Sequence, residues 1–376
     1  MKKLRLVIIS ERTRYHFQKP LQYFKNIEIF HLYKTHYSDM DPKDFGSNLI
    51  KYNNVFDLYS KLRKINPDLI QGMEPYYGYS RLKIPLKVLP ILFTTFIYSK
   101  LNRKPYFFHI LENILPKIKY GSFAGWIMKK MAQIYSGSAK FIFYLNIGAR
   151  GNLLSLGINE SKIHHGLWGI WGVDIQEFSP TKTKNEIKNI IFVGRLTQQK
   201  GIEDFAEAIK LISNSHYLKK DYKFQIAGRG ELEEALKLKI KNEKIDNLVD
   251  FLGEVPSRNI HSIYQNAYLT VSPSRTLNNW AEQIGVNNLE SMACGVPVVS
   301  TFSGSISEFV SNNKTGILVN EKNPKELADA IAKLLDDEKL RNELAKNCRK
   351  YAIDKFDAQK NIPKLEEFVI SQMKNE

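Results

Sequence analysis

WAEQIGVNNLESMACGVPVVS, residues 280–300, carries two carboxylates, Glu282 and Glu290, with seven residues between them and a glycine, Gly285, in that interval. Leu289, Met292 and Ala293 recur at three- and four-residue spacings, which predicts a helix over residues 287–294 with Gly295 as its stop. After Pro297, Val298-Val299 reads as a short buried strand. A helix that opens at Gly285-Val286 presents unpaired backbone N–H groups and a positive dipole end, an arrangement suited to a phosphate. One acid stands ahead of that terminus and one about a turn behind it. Such a pair can grip hydroxyls on both sides of a diphosphate, which is the shape of a nucleotide sugar.

Working outward, residues 189–193 (NIIFV) predict a strand followed by Gly194-Arg195-Leu196 and Lys200-Gly201. The helix beyond is marked by Ile202, Phe205, Ala206, Ile209 and Ile212. Arg195 and Lys200 therefore bracket a loop between a strand end and a helix start, where two cations can hold a diphosphate. Residues 223–227 predict the next strand, ending in Gly228-Arg229-Gly230, a turn through which backbone can approach a ligand. Further strands are expected at 248–253, 268–272 and 315–319, with a helix starting at Asn323-Pro324.

Glu-x7-Glu followed by Ser-Met-Ala-Cys-Gly-Val-Pro-Val-Val resembles the donor-site signature of retaining GT-B glycosyltransferases of the family 4 type, the glycosyl transferases group 1. Gly-Arg-Leu-x3-Lys-Gly at 194–201 and Gly172-Val173-Asp174 with Phe178-Ser179-Pro180 resemble the same family. The resemblance implies an α/β chain of GT-B type, two Rossmann-like domains facing a central cleft. It implies an acceptor domain over 1–178, a nucleotide-sugar domain over 179–357, and a last helix, about 358–376, packed back on the first domain. The activity it implies is transfer of a sugar, with retention, from a nucleotide-diphosphate sugar as co-substrate, with no cofactor and no metal. The sequence accordingly shows no Cys/His metal spacing and no Asp-x-Asp at the donor strands. Within that scheme Arg195 and Lys200 neutralise the leaving diphosphate, Glu282 binds the transferred sugar and Glu290 the ribose. Gly194, Gly228, Gly253, Gln283, Ile284, Gly285, Val286 and Asn287 complete the donor contacts.

Three departures from the family stand out. No glycine-rich turn follows the first strand, so ligand contacts over residues 10–15 would come from Arg12, Arg14 or Tyr15. Gln283-Ile284 replaces a small-plus-aromatic pair, which points to an unusual donor. The predicted strand at 105–110 ends in His109-Ile110-Leu111-Glu112-Asn113 and does not reproduce the family's His-Asp pair. Ligands of open α/β sheets lie beyond the carboxyl ends of strands, so His109 and Glu112 are the candidate catalytic residues of the first domain.

The charge is lopsided. The chain of 376 residues has a net charge of +16, yet residues 1–180 hold 26 Lys and Arg against 12 Asp and Glu, leaving the remainder close to balance. Such asymmetry points to an anionic partner. An anionic membrane surface or a lipid-phosphate-linked glycan acceptor fits better than nucleic acid, for which no recognition motif is present. Residues 82–101 mix lysines with apolar side chains and predict a helix that Pro85 starts and Pro90 kinks, a core helix or a membrane-surface segment. Two cysteines, Cys294 and Cys348, imply no disulfide framework. With neither a signal peptide nor a run able to span a bilayer, the expected location is cytoplasmic, peripheral on the inner membrane face. A non-catalytic basic α/β module binding nucleic acid or an anionic membrane remains the alternative reading at this point.

Overall fold

The computed structural model describes residues 3–38, 40–76, 88–166, 172–181, 187–214 and 222–374. The chain divides into two units, residues 1–172 with 358–376, and residues 173–357. Residues 182–186 after Pro180, together with Trp168, Trp171 and Pro85, fall outside the described residues.

The N-terminal unit is built on seven parallel strands: β1 (Leu4–Thr13), β2 (Ile27–His36), β3 (Leu49–Lys51), β4 (Leu69–Gln71), β5 (Tyr106–Ile110), β6 (Phe141–Tyr144) and β7 (Ile163–His165). Their order is β3-β2-β1-β4-β5-β6-β7, so the direction of winding reverses between β1 and β4. Helices α1 (Tyr15–Gln18), α2 (Val55–Ile65), α3 (Leu89–Asn102), α4 (Pro116–Tyr120), α5 (Ser122–Ser138) and α6 (Ile147–Ser155) connect them. Strand side chains alternate between faces. Val7 and Ile9 join a core with Leu58, Ile91 and Met128, whereas Leu6 and Ile8 join another with Phe107 and Phe143.

Two local expectations change. Residues 11–13, expected as a loop after a first strand at 3–10, continue β1, because Arg12 and Thr13 pair in register with Thr35 and His36 of a longer β2. Buried His31 fastens that extension through Ser10 Oγ at 2.8 Å, and Tyr52 donates to the Ser10 carbonyl at 3.1 Å. Pro90 does not kink a helix. It lies in the first turn of α3, where a missing N–H costs no internal hydrogen bond.

The C-terminal unit has six parallel strands: β8 (Lys188–Val193), β9 (Tyr222–Ala227), β10 (Val249–Gly253), β11 (Ala267–Ser272), β12 (Val298–Thr301) and β13 (Gly316–Val319). Their order is β10-β9-β8-β11-β12-β13, with the reversal between β8 and β11. Its helices are α7 (Ile202–Ser213), α8 (Glu233–Asn242), α9 (Ile260–Gln265), α10 (Val286–Ala293), α11 (Ile306–Phe309), α12 (Pro324–Asp336) and α13 (Glu338–Lys355). Asn323 caps α12 by accepting from the Glu326 N–H at 3.1 Å. Residues 173–178 belong to this unit rather than to the first, because Arg349 donates to the carbonyls of Phe178 and Ile175 and the Val173 N–H donates to the Phe356 carbonyl.

The last helix, α14 (Ala358–Lys374), belongs to the N-terminal unit, where Leu365 and Val369 pack on the Phe107 and Phe143 side of the sheet. Buried Glu366 accepts the N–H groups of Lys25, Asn26 and Ile27 at 3.0, 2.6 and 2.7 Å. One carboxylate thus ties the chain terminus to the start of β2. Glu366→Ala strands three donors and is expected to destabilise the N-terminal unit by about 3 kcal/mol. Glu366→Gln, which keeps an acceptor, is expected to lose less, as read from urea-unfolding midpoints.

Candidate active site

In open parallel sheets ligands gather where the strand order reverses, at the carboxyl ends of the strands. In the C-terminal unit that place lies beyond β8 and β11, and Lys200, Glu282 and Asn287 meet there. Asn287, in the first turn of α10, spans the divide by donating to Ser272 Oγ at 3.0 Å and to the Val193 carbonyl at 3.3 Å.

The centre is an ion pair. Lys200 Nζ, at the end of the 3-10 turn 198–200, lies 2.5 Å from Glu282 Oε2, and both side chains are largely buried. Ser274 Oγ donates to the same oxygen at 3.0 Å, and the Gly285 N–H also bonds the carboxylate. Burial alone would raise the Glu282 pKa. The Lys200 charge, its hydrogen bond and the Ser274 and Gly285 donors outweigh that effect and hold it below the ordinary carboxylate range. The positive start of α10 therefore meets a carboxylate from its own chain. Lys200 Nζ also lies 5.2 Å from the centre of the Trp280 ring.

Close backbone approaches set this geometry. A Cβ on Gly201 would stand 1.7 Å from the Pro273 carbonyl oxygen, and Gly201 has φ +65°, so the residue after Lys200 must be glycine for the two loops to touch. A Cβ on Gly304 would stand 2.1 Å from the Glu282 carbonyl oxygen, which instead accepts the Ser305 N–H at 2.9 Å.

The remaining donor-side residues are placed as follows. Arg195 is exposed on the loop after β8 and makes no ion pair among the described residues. The Gly194 N–H donates to the Ala227 carbonyl and the Gly228 N–H to the Gly253 carbonyl, so these three turns are stitched to one another. Ile284 is buried, while Gln283 and Val286 are half-buried. Glu290 lies in the second turn of α10 beside Tyr264 and Cys294, where its charge adds to burial in raising both of their pKa values.

Sequence reading missed Arg275. Its Nε and Nη2 grip Asp204 at 2.6 and 2.5 Å, Nη1 reaches Glu203 at 2.9 Å, and its N–H donates to the Gln199 carbonyl at 2.9 Å. The fork clamps the Lys200 loop to the loop after β11. The sequence signal was two acids at the start of α7, equally explained by the helix dipole.

The N-terminal unit carries a second polar cluster beyond β4 and β5. Glu112 is buried and pairs with Lys119, and its Oε1 accepts the Ile114 N–H at 2.9 Å. Glu74, unmarked in the sequence, is buried beside it and accepts the N–H groups of Leu111 and Glu112 at 2.7 and 3.2 Å. Burial first, then the Glu112 charge, raises the Glu74 pKa to about 7. His109 is buried and stacked on Phe143 with ring centres 4.9 Å apart, and neither ring nitrogen has a hydrogen-bond partner. Burial lowers its pKa to about 3, so the imidazole is neutral at physiological pH. No group of three or more His, Cys, Asp or Glu side chains among the described residues could hold a metal ion.

Two outcomes follow. Arg275→Met leaves Asp204 buried without its partner and is expected to cost about 3 kcal/mol in the unfolding of the C-terminal unit. The folded chain holds the Glu74 proton more tightly than the unfolded chain does. The stability this supplies is complete below about pH 4.5 and is lost as pH rises to about 7. Glu74→Gln should therefore gain on wild type across that window, by on the order of 2 kcal/mol near pH 8, in urea titrations at fixed pH values.

Residues 174–351 match a family model described as Glycosyl transferases group 1. The putative colanic acid biosynthesis glycosyltransferase WcaL of Escherichia coli is 32% identical over 185 residues, 48% of this chain and 44% of that protein. An uncharacterized glycosyltransferase of Methanocaldococcus jannaschii is 33% identical over 46% of this chain and 42% of its own length, so the chain spans less than half of these curated relatives. A Campylobacter jejuni N,N'-diacetylbacillosaminyl-diphospho-undecaprenol alpha-1,3-N-acetylgalactosaminyltransferase is 24% identical over 90% of this chain and 91% of that one. Among solved structures, Anabaena HepE in complex with UDP superimposes with a TM-score of 0.74 at 16% identity, covering 98% of this chain and 100% of that one. Over residues 174–351, nearly all of its C-terminal unit, the chain is similar to the glycosyl transferases group 1 family, and its fold is of GT-B type, with two Rossmann-like units.

Proposed function

We propose that this chain is a glycosyltransferase that takes a hexose from a nucleotide-diphosphate sugar and transfers it, with retention of anomeric configuration and without a metal ion. The observation that carries this reading is the buried Lys200–Glu282 pair at the β8–β11 reversal. A lysine ammonium has three N–H donors. One bonds Glu282, and the others can take phosphate oxygens. The same ammonium thus links an acid poised for sugar hydroxyls to the charge that develops on the leaving diphosphate, a preorganised arrangement of the kind that stabilises transition states. Arg195, exposed on the neighbouring loop, supplies a second cation, and Glu290 binds the ribose.

On the acceptor side the proposal is a lipid-phosphate-linked glycan at the inner face of a membrane. Support comes from the positive charge concentrated in residues 1–180 and from the diphospho-undecaprenol substrate named for the Campylobacter relative. Glu112, and His109 in its neutral form, are the N-terminal unit's candidates for contact with the reacting hydroxyl. No helix among the described residues is long and apolar enough to cross a membrane.

A thermal-shift panel of UDP, GDP and ADP sugars, followed by nucleotide release from the donor that binds, tests the reading. Lys200→Ala and Glu282→Gln are each expected to lower the release rate about 100-fold or more while the N-terminal unit keeps its unfolding transition. Rates near wild type in both variants would remove the proposed roles, and tight nucleotide binding without turnover of any sugar would leave a binding module.

A further inference from the structure

Between Pro75 and Asn159 the sole acidic residue is Glu112, against twelve lysines and arginines, and Glu112 is buried and paired with Lys119. Arg150 pairs with Glu160 just beyond this stretch, while Lys117, Lys129 and Lys130 are exposed on helices α4 and α5 and form no ion pair among the described residues. That surface is also apolar. Phe123 is 78% exposed, Trp126 59%, Ile118 56% and Leu115 44%, side chains that a water-facing helix pair usually keeps inside.

The packing explains why these side chains point outward. On α5 the buried positions are Gly125, Met128, Ala132 and Tyr135, at helical spacing. Phe123, Trp126 and Lys130 fall on the opposite face, so α5 is apolar on both sides. A Cβ on Gly125 would stand 2.8 Å from the Lys117 Cα and the Pro116 carbonyl oxygen, so α4 and α5 meet backbone to backbone in a fixed corner. Lys119 reaches inward to Glu112 and to the Tyr76 carbonyl at 3.0 Å, which turns Ile118 and Lys117 to the outside.

We infer that the α4–α5 corner is a docking face for a bilayer containing anionic lipid. Aromatic and branched side chains would enter the headgroup boundary while Lys117, Lys129 and Lys130 contact lipid phosphates. The charge pattern favours this occupant over a second copy of the chain, since two such faces brought together would set lysine against lysine. The inference rests on the proposed lipid-linked acceptor only for its purpose. A docked corner would bring the Glu112 end of β5 to the depth of lipid headgroups, because Leu115 lies three residues beyond that acid.

Sedimentation of the full chain with vesicles provides the test. Wild type is expected to pellet with phosphatidylcholine vesicles containing phosphatidylglycerol and to stay in solution with phosphatidylcholine alone. The double variants F123S/W126S and K129E/K130E are each expected to weaken partitioning on the order of tenfold or more. The thermal shift produced by a nucleotide should be unchanged in both, which shows that they are folded. Equal binding of wild type to the two vesicle types, variants that bind like wild type, or a dimer in sedimentation velocity that F123S/W126S dissolves would each overturn the inference. Because nucleotide release is read on the same preparations, loss of the docking face and loss of the transferase reading appear as separate results.

Discussion

A carboxylate taken out of water is stable only where donors and a counter-charge surround it. Glu282 meets that condition through Lys200, Ser274 and Gly285, contributed by the loop after β8, the loop after β11 and the residue that precedes α10. The contact is also what defines the site. Its two members are 82 residues apart in the chain and meet because β8 and β11 are neighbours although β9 and β10 intervene in sequence. The supporting features serve the same contact. Gly201 lets the Lys200 loop lie against Pro273, Gly304 lets a further loop lie against the Glu282 backbone, and Arg275 binds the two sides through Asp204.

The N-terminal unit solves a related problem with different parts. Glu112 and Lys119 form its buried pair, and Glu74 shares the space without a cation of its own. The result is a rigid loop after β5, gripped by Glu74 on Leu111 and Glu112 and by Asn152 on the Glu112 carbonyl at 2.6 Å. Taking the two charges of such a pair out of water offsets much of their mutual attraction. One carboxylate with a pKa near 7 makes the order of the loop sensitive to pH. The same lysine that completes the pair also fixes the outward face of α4, so the interior polar cluster and the exposed apolar corner are two sides of one short helix.

Legibility followed length and periodicity. The eleven residues of α2 carry enough apolar repeats to declare a helix, and Asn54 and Asn66 close it at either end. α10 was read within a residue at each end. The three-residue strands β3 and β7 carry too few positions for any period to register, and they exist because a neighbouring strand offers them a ladder. The extension of β1 to Thr13 escaped notice for the same reason: Glu11 and Arg12 resemble a polar loop until β2 supplies the matching register. Pro90 opens α3 instead of kinking it, because the effect of a proline depends on where the helix begins.

The sequence alone determined the alternation of strand and helix, the two acids around Gly285, the cations at 195 and 200 and the concentration of positive charge in the first half, since each is a matter of residue type and local spacing. Tertiary structure alone decided that Lys200 meets Glu282, that Glu290 lies beside Tyr264, that Arg275 clamps Asp204 and that Glu74 shares a buried site with Glu112. Those contacts join segments brought together by strand order, and an ion's partner and degree of burial are properties of the space around it rather than of the chain on either side.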